Sequence, residues 1–150
     1  MRKVTEPIAS MSGRLNDIYP ETLKRHYEDP RNYRPMEGES SKASAVNPVC
    51  GDEVTIYLKG NQSKVNEVTY QGHLCAISKA SASLMSEAVR GRDAQEISVI
   101  SRDFEAMMRG SDAVSLGDLD ALRSIRAYRV RIRCALLPWE ALRKACEVLA

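Results

Sequence analysis

The tightest constraint on this chain is a change of hydrophobic period at Cys75. From Glu53 to Gly60, Val54, Ile56 and Leu58 alternate with Thr55, Tyr57 and Lys59, the two-residue period of a half-buried strand. The stretch "GNQS" then makes a turn. Lys64 to Gln71, "KVNEVTYQ", is β-prone again and ends at Gly72. Two such runs around a short turn predict an antiparallel hairpin, and a third strand is expected over Ser40 to Val46. Beyond Cys75, in "AISKASASLMSEAVRG", Ile77, Ala80, Leu84 and Ala88 recur at helical spacing and Gly91 supplies the stop.

More helices follow. Ile97, Ile100, Phe104 and Met107 or Met108 share one face of a helix expected from about Ala94 to Arg109, closed by Gly110. "SDAVSLGDLDAL" reads as a loop leading to a short helix around Leu119 to Arg123. A last helix is expected from about Ala135 to Leu149, with Pro138 in its first turn, where a missing N–H is tolerated. Near the start, Leu15 to His26 has helical texture that Pro20 should kink or delay, and "EDPRNYRP" is a loop. The order predicts an α+β fold, a small antiparallel sheet of about three strands with helices packed on one face.

Bulk properties narrow the function. A chain of 150 residues, 43% hydrophobic and 28% charged, is the size and composition of one ordinary domain. Residues 1–14 read as a flexible N-terminal tail and 15–150 as the domain. The opening "MRKVTEPIASMSGRL" is broken by Glu6 and Pro7 and lacks an apolar signal core, and no apolar run approaches the roughly 20 residues of a bilayer span. A net charge of +2 and few aromatics argue against a nucleic-acid partner. Four cysteines without a signal peptide predict reduced thiols in a cytoplasmic setting, suited to metal or redox chemistry.

Those cysteines, at 50, 75, 134 and 146, form no CxxC pair, so any site is assembled by the fold. Cys50 and Asp52 are i and i+2 at a strand entrance, and in extended geometry they project to one side. Gly51 between them permits a tight turn. Cys75 opens a predicted helix, where the dipole favours an anion, and Cys134 is expected to stand in the same relation to the last helix. A carboxylate beside a buried thiol is a poor packing choice without a cation. Cys50, Asp52, Cys75 and Cys134 therefore form a candidate metal or reactive-thiol site. Cys146, twelve residues and about 18 Å further along the predicted helix, reads as a packing residue.

The segments "NPVCGDEVTIYL", "YQGHLCAISKASASLMSEAVRG" and "VRIRCALLPWEAL" resemble, in order, the three cysteine motifs of the IscU/NifU-N iron–sulfur scaffold superfamily, across roughly Leu15 to Leu149. The SufU branch is the better match. Arg133 stands where scaffold members usually carry histidine, and "RGSDAVSLGDLDAL" resembles the SufU insertion. The resemblance implies a zinc ion (Zn2+) on Cys50, Asp52, Cys75 and Cys134, and a zinc-dependent sulfurtransferase that takes persulfide sulfur from a cysteine desulfurase of the SufS type. The implied mechanism is ligand exchange: a desulfurase side chain takes the place of Cys50, which then attacks the persulfide. The alternative within the family is a scaffold that builds a [2Fe-2S] cluster on the same four side chains.

The chain departs from the family pattern in places. Leu74 stands before the second cysteine where glycine is common, Arg129 where proline is frequent, and His73 is an alternative ligand or hydrogen-bond partner. His26, in "RHYEDPRNYRP", is expected to anchor the first helix. In extended form Arg129, Arg131 and Arg133 share a face while Val130 and Ile132 point inward, so positive charge beside Cys134 would favour its thiolate and attract an acidic partner. Arg131 matches the family's basic position. A structural or nucleic-acid-binding zinc module is the reading outside this family.

Overall fold

The computed structural model describes residues 20–150; the tail expected over 1–14, and residues 15–19 of the expected first helix, lie outside them. In chain order the elements are α1 (Glu21–Glu28), β1 (Ser41–Asn47), β2 (Asp52–Asn61), β3 (Lys64–His73), α2 (Ala76–Val89), α3 (Ala94–Met108), a 3-10 segment (Gly117–Ala127) and α4 (Arg129–Val148). Pro20 does not kink α1. It occupies the N-cap, where its missing N–H removes no helical bond.

Both strand pairs are antiparallel, in the order β1-β2-β3. Alternation puts Ala45, Val54, Ile56, Leu58, Val68 and Tyr70 in the core, while Lys42, Ser44, Glu53, Lys59 and Gln71 are exposed. The helices cover the apolar face. α4 packs across β1 and β2, and α2 lies against α1 and α4. Pairing Asn47 with Asp52 closes a short β1–β2 turn, and pairing Glu53 with His73 brings the end of β3 beside the start of β2. Three motif ends thereby meet at one edge.

α2 is buried on nearly every side, and its serines make that possible. Ser78, Ser81, Ser83 and Ser86 are fully buried, and each is hydrogen-bonded. Ser81 Oγ donates to the Ala135 carbonyl at 2.6 Å and accepts from Trp139 Nε1 at 3.2 Å, tying α2 to α4. Trp139 stacks on Phe104 of α3 with centroids 4.5 Å apart. His26 anchors α1 as expected, with Nδ1 2.6 Å from Ser83 Oγ. Burial holds its pKa below the ordinary histidine value, with Glu87 acting in the opposite direction.

α3 begins with a capping box, Asp93 with Glu96, and ends at Met108, close to the expected bounds. The following 3-10 segment is longer than the short helix expected there. Asp112 pairs with both Arg123 and Arg126, and Arg126 Nη1 also donates to the Met107 carbonyl at 3.2 Å. The segment from Asp112 to Arg126 is thus tied to the end of α3.

The last helix departs most from expectation. It starts at Arg129, so Arg129 to Cys134 are helical rather than extended and Pro138 lies inside the helix. Alternating Arg and Val/Ile over five residues fits either period. The helix prevails because Cys134, Ala135, Leu137, Pro138, Ala141, Leu142 and Ala145 continue a buried helical stripe over the sheet. Helical geometry separates Arg131 from Arg129 and Arg133 around the axis. Val130 is exposed instead of inward, while Ile132 does pack against the core. Pro138 has no N–H for the carbonyl of Cys134, one turn earlier.

Candidate metal centre

Cys50 lies in the β1–β2 turn. Gly51 N donates to the Asn47 carbonyl at 2.8 Å, Val49 N donates to Asn47 Oδ1 at 3.2 Å, and Gly51 takes φ +78°. The i, i+2 pair is therefore bent through a turn rather than extended. The bend leaves Cys50 exposed and Asp52, the first residue of β2, buried. Cys75 is the N-cap of α2, with Sγ accepting from Ser78 N. Cys134 sits in the second turn of α4 and is buried. It does not open that helix, so the expected benefit from the helix N-terminus is absent there.

Three of the four predicted residues come together closely. A ligand atom from each of Cys50, Asp52 and Cys134 lies within 4.8 Å of the other two. Cys75 stands beside this trio rather than within it, joined by its backbone N–H, which donates to Asp52 Oδ2 at 3.2 Å. His73 is exposed and belongs to no such cluster among the described residues. Cys146 is excluded as expected: it packs half-buried against the core, and burial, then Glu147, pushes its thiol up to about 11. It lines a groove of about 500 Å³ between α3 and α4, away from the trio.

The electrostatics test whether this donor set suits a cation. Burial works against the charged form of Asp52, yet hydrogen bonds from the Ser78 hydroxyl, from Cys75 and from Cys50 outweigh it and hold the carboxyl below its ordinary value. It is an ionised carboxylate, 8% exposed, whose partners here are hydroxyl, amide and thiol groups rather than a lysine or arginine. Burial, then proximity to Cys75 and Cys50, pushes the Cys134 thiol up to about 12. The neighbouring arginines do not reverse this, contrary to the sequence expectation; Arg129, Arg131 and Arg133 are exposed residues, whereas Cys134 is buried. A buried carboxylate whose partners are neutral groups, gathered with thiol sulfurs, is a donor set complementary to a divalent cation that accepts sulfur, so the residues fit zinc.

Sequence reasoning missed Ser78. Its hydroxyl donates to Asp52 Oδ2 at 2.7 Å and lies 3.4 Å from Cys75 Sγ. The available signal was its place three residues after an N-cap, where a side chain meets the cap.

A three-stranded sheet covered on one face, with Cys50, Cys134 and Asp52 converging and Cys75 at a helix N-cap beside them, defines a small α+β protein with a candidate cysteine-rich metal site. The NifU-like N-terminal domain matches residues 18–146, and the chain belongs to that family. It is 35% identical over 138 residues to the zinc-dependent sulfurtransferase SufU of Bacillus subtilis, covering 90% of this chain and 93% of the relative. It is 33% identical over 128 residues to the iron–sulfur cluster assembly scaffold protein IscU of Thermotoga maritima, covering 81% and 90%. The crystal structure of FiSufU, from Fervidobacterium islandicum AW-1, superposes with a TM-score of 0.81 at 32% identity, covering 87% of this chain and 98% of that one.

Proposed function

We propose that this protein is a zinc-dependent sulfurtransferase that accepts persulfide sulfur from a cysteine desulfurase for iron–sulfur cluster assembly, with Cys50 as the acceptor and Cys50, Asp52, Cys75 and Cys134 as the residues that hold zinc. The observation that carries this reading is the convergence of Cys50, Asp52 and Cys134, with Cys75 hydrogen-bonded to the same aspartate, while Cys50 alone of the three thiols is exposed. Similarity to the Bacillus SufU and the arginine before Cys134 support it.

Zinc, when bound, keeps thiols ionised at neutral pH without redox chemistry of its own. The transfer step belongs to the chain. Cys50 Sγ attacks the outer sulfur of the partner's cysteine persulfide; a new S–S bond forms on Cys50, the partner's S–S bond breaks, and the partner cysteine leaves as a thiolate. Exposure on a tight turn lets Cys50 meet a second protein, whereas Cys134 is buried under it. No helix among the described residues is long and apolar enough to cross a membrane.

The test is a persulfide map. Zinc-loaded protein is incubated anaerobically with a cysteine desulfurase and cysteine, and the added sulfur is located by peptide mass spectrometry. Sulfur on Cys50, lost in Cys50→Ala, is expected. The second reading, a cluster scaffold, draws on the similarity to IscU proteins and on the affinity of iron clusters for thiolates. Iron-dependent colour, with sulfur collecting on Cys134, would replace the first reading with the second.

A further inference from the structure

Ser78 is fully buried and lies between two of the four proposed donors. Its hydroxyl donates to Asp52 Oδ2 at 2.7 Å, and its backbone N–H donates to Cys75 Sγ at 3.4 Å. The Cys75 N–H adds a second bond to Oδ2 at 3.2 Å. The Ser78 hydroxyl and the Cys75 N–H thus both hold Oδ2, fixing the orientation of the carboxyl group beside the thiols of Cys50 and Cys134. Cys50 is held differently: its thiol is exposed on the β1–β2 turn, near the Asp52 carboxyl and 4.0 Å from the Asn47 carbonyl, with no N–H or hydroxyl donor among the described residues fixing its sulfur as Ser78 N fixes that of Cys75. Cys134, for its part, is immobilised by burial in α4.

This asymmetry bears on a question that the ligand set leaves open: which of three chemically alike thiols is released to take sulfur. We propose that Ser78 is a positioning residue that locks Asp52 and Cys75 together as retained donors, so that Cys50 is the thiol that leaves. The inference rests on the zinc-site reading above. Groups that orient metal ligands in this way typically contribute 10–100-fold to metal affinity. Ser78 does so from α2, outside the cysteine motifs' own donor atoms, and it couples the start of β2 to the start of α2.

The experiment compares the full chain with Ser78→Ala, Asp52→Asn and the double variant. Zinc affinity is measured by competition with a chromophoric chelator, alkylation of each cysteine of the zinc-loaded protein by iodoacetamide is timed by peptide mass spectrometry, and Co2+ spectra are recorded. In the native protein alkylation should fall on Cys50 first, with Cys75 protected. Ser78→Ala should weaken zinc binding about 10–100-fold and expose Cys75 to alkylation. Asp52→Asn, which keeps the shape of the side chain, should move Cys75 labelling in the same direction, and the double variant should add little to either. Unchanged zinc affinity and a protected Cys75 in Ser78→Ala would overturn the assignment, as would additive effects in the double variant. Should Ser78→Ala fail to fold, Asp52→Asn decides alone: continued protection of Cys75 in that variant overturns the proposal. Failure of the native chain to bind zinc would instead remove the underlying reading, a result distinct from native binding that Ser78→Ala leaves intact.

Discussion

Two glycines near the site make a matched comparison. Gly51 has φ +78°, and an added Cβ would meet nothing within 4 Å, so Gly51→Ala costs only the backbone penalty of a left-handed residue, about 1–2 kcal/mol. Gly72 has φ +152°, and its Cβ would overlap the Glu53 carbonyl oxygen and come within 2.9 Å of Val54 Cα. Backbone strain there costs about 1–3 kcal/mol. The obstructing atoms are main chain and cannot rotate away, so β2 and β3 must part where Val54 pairs with Gly72, weakening ladder bonds that contribute about 1 kcal/mol each. We expect Gly72→Ala to lose about 3–5 kcal/mol in total, a large share of the 5–15 kcal/mol typical of a domain. Urea unfolding followed by far-ultraviolet circular dichroism measures both variants. The same stability loss for the two would refute the claim that close strand approach, rather than φ alone, demands glycine at position 72.

Other consequences are open to direct measurement. Because burial depresses the folded pKa of His26, the unfolded chain takes up a proton first as pH falls; this stability is complete above the unfolded value near 6.5 and declines as pH drops through the folded value. Urea midpoints at successive pH values should show that decline in the native chain, and a reduced one in His26→Gln. Phe104→Ala removes a fully buried ring stacked on Trp139 and should cost about 3–5 kcal/mol in the same assay. Zinc at a hundred times its dissociation constant should add about 2.7 kcal/mol of stability, an increment that Cys134→Ala should largely remove; identical melting with and without zinc would count against the site.

Much of the fold was legible because periodicity is local. Val54, Ile56 and Leu58 mark one face of β2 whatever packs against them, and the serine-rich run after Cys75 could only be a helix once its spacing was counted. The five residues before Cys134 mislead for the same local reason: Arg-Val-Arg-Ile-Arg alternates as well as any strand. Only the buried stripe continuing from Cys134 to Ala145, and the sheet surface it covers, make that stretch the first turns of α4.

By itself the sequence determined the types of element, the donor chemistry of Cys50, Asp52, Cys75 and Cys134, and the family whose motifs they form. Tertiary structure decided how those donors stand to one another. Strand register brought the β1–β2 turn to the end of β3, and packing of α4 on the sheet placed Cys134 beneath Cys50. It also buried one thiol, exposed another and put Ser78 against Asp52. The physical reason is that a side chain's chemistry travels with its residue, whereas distance and desolvation arise only when segments far apart in the chain are packed together.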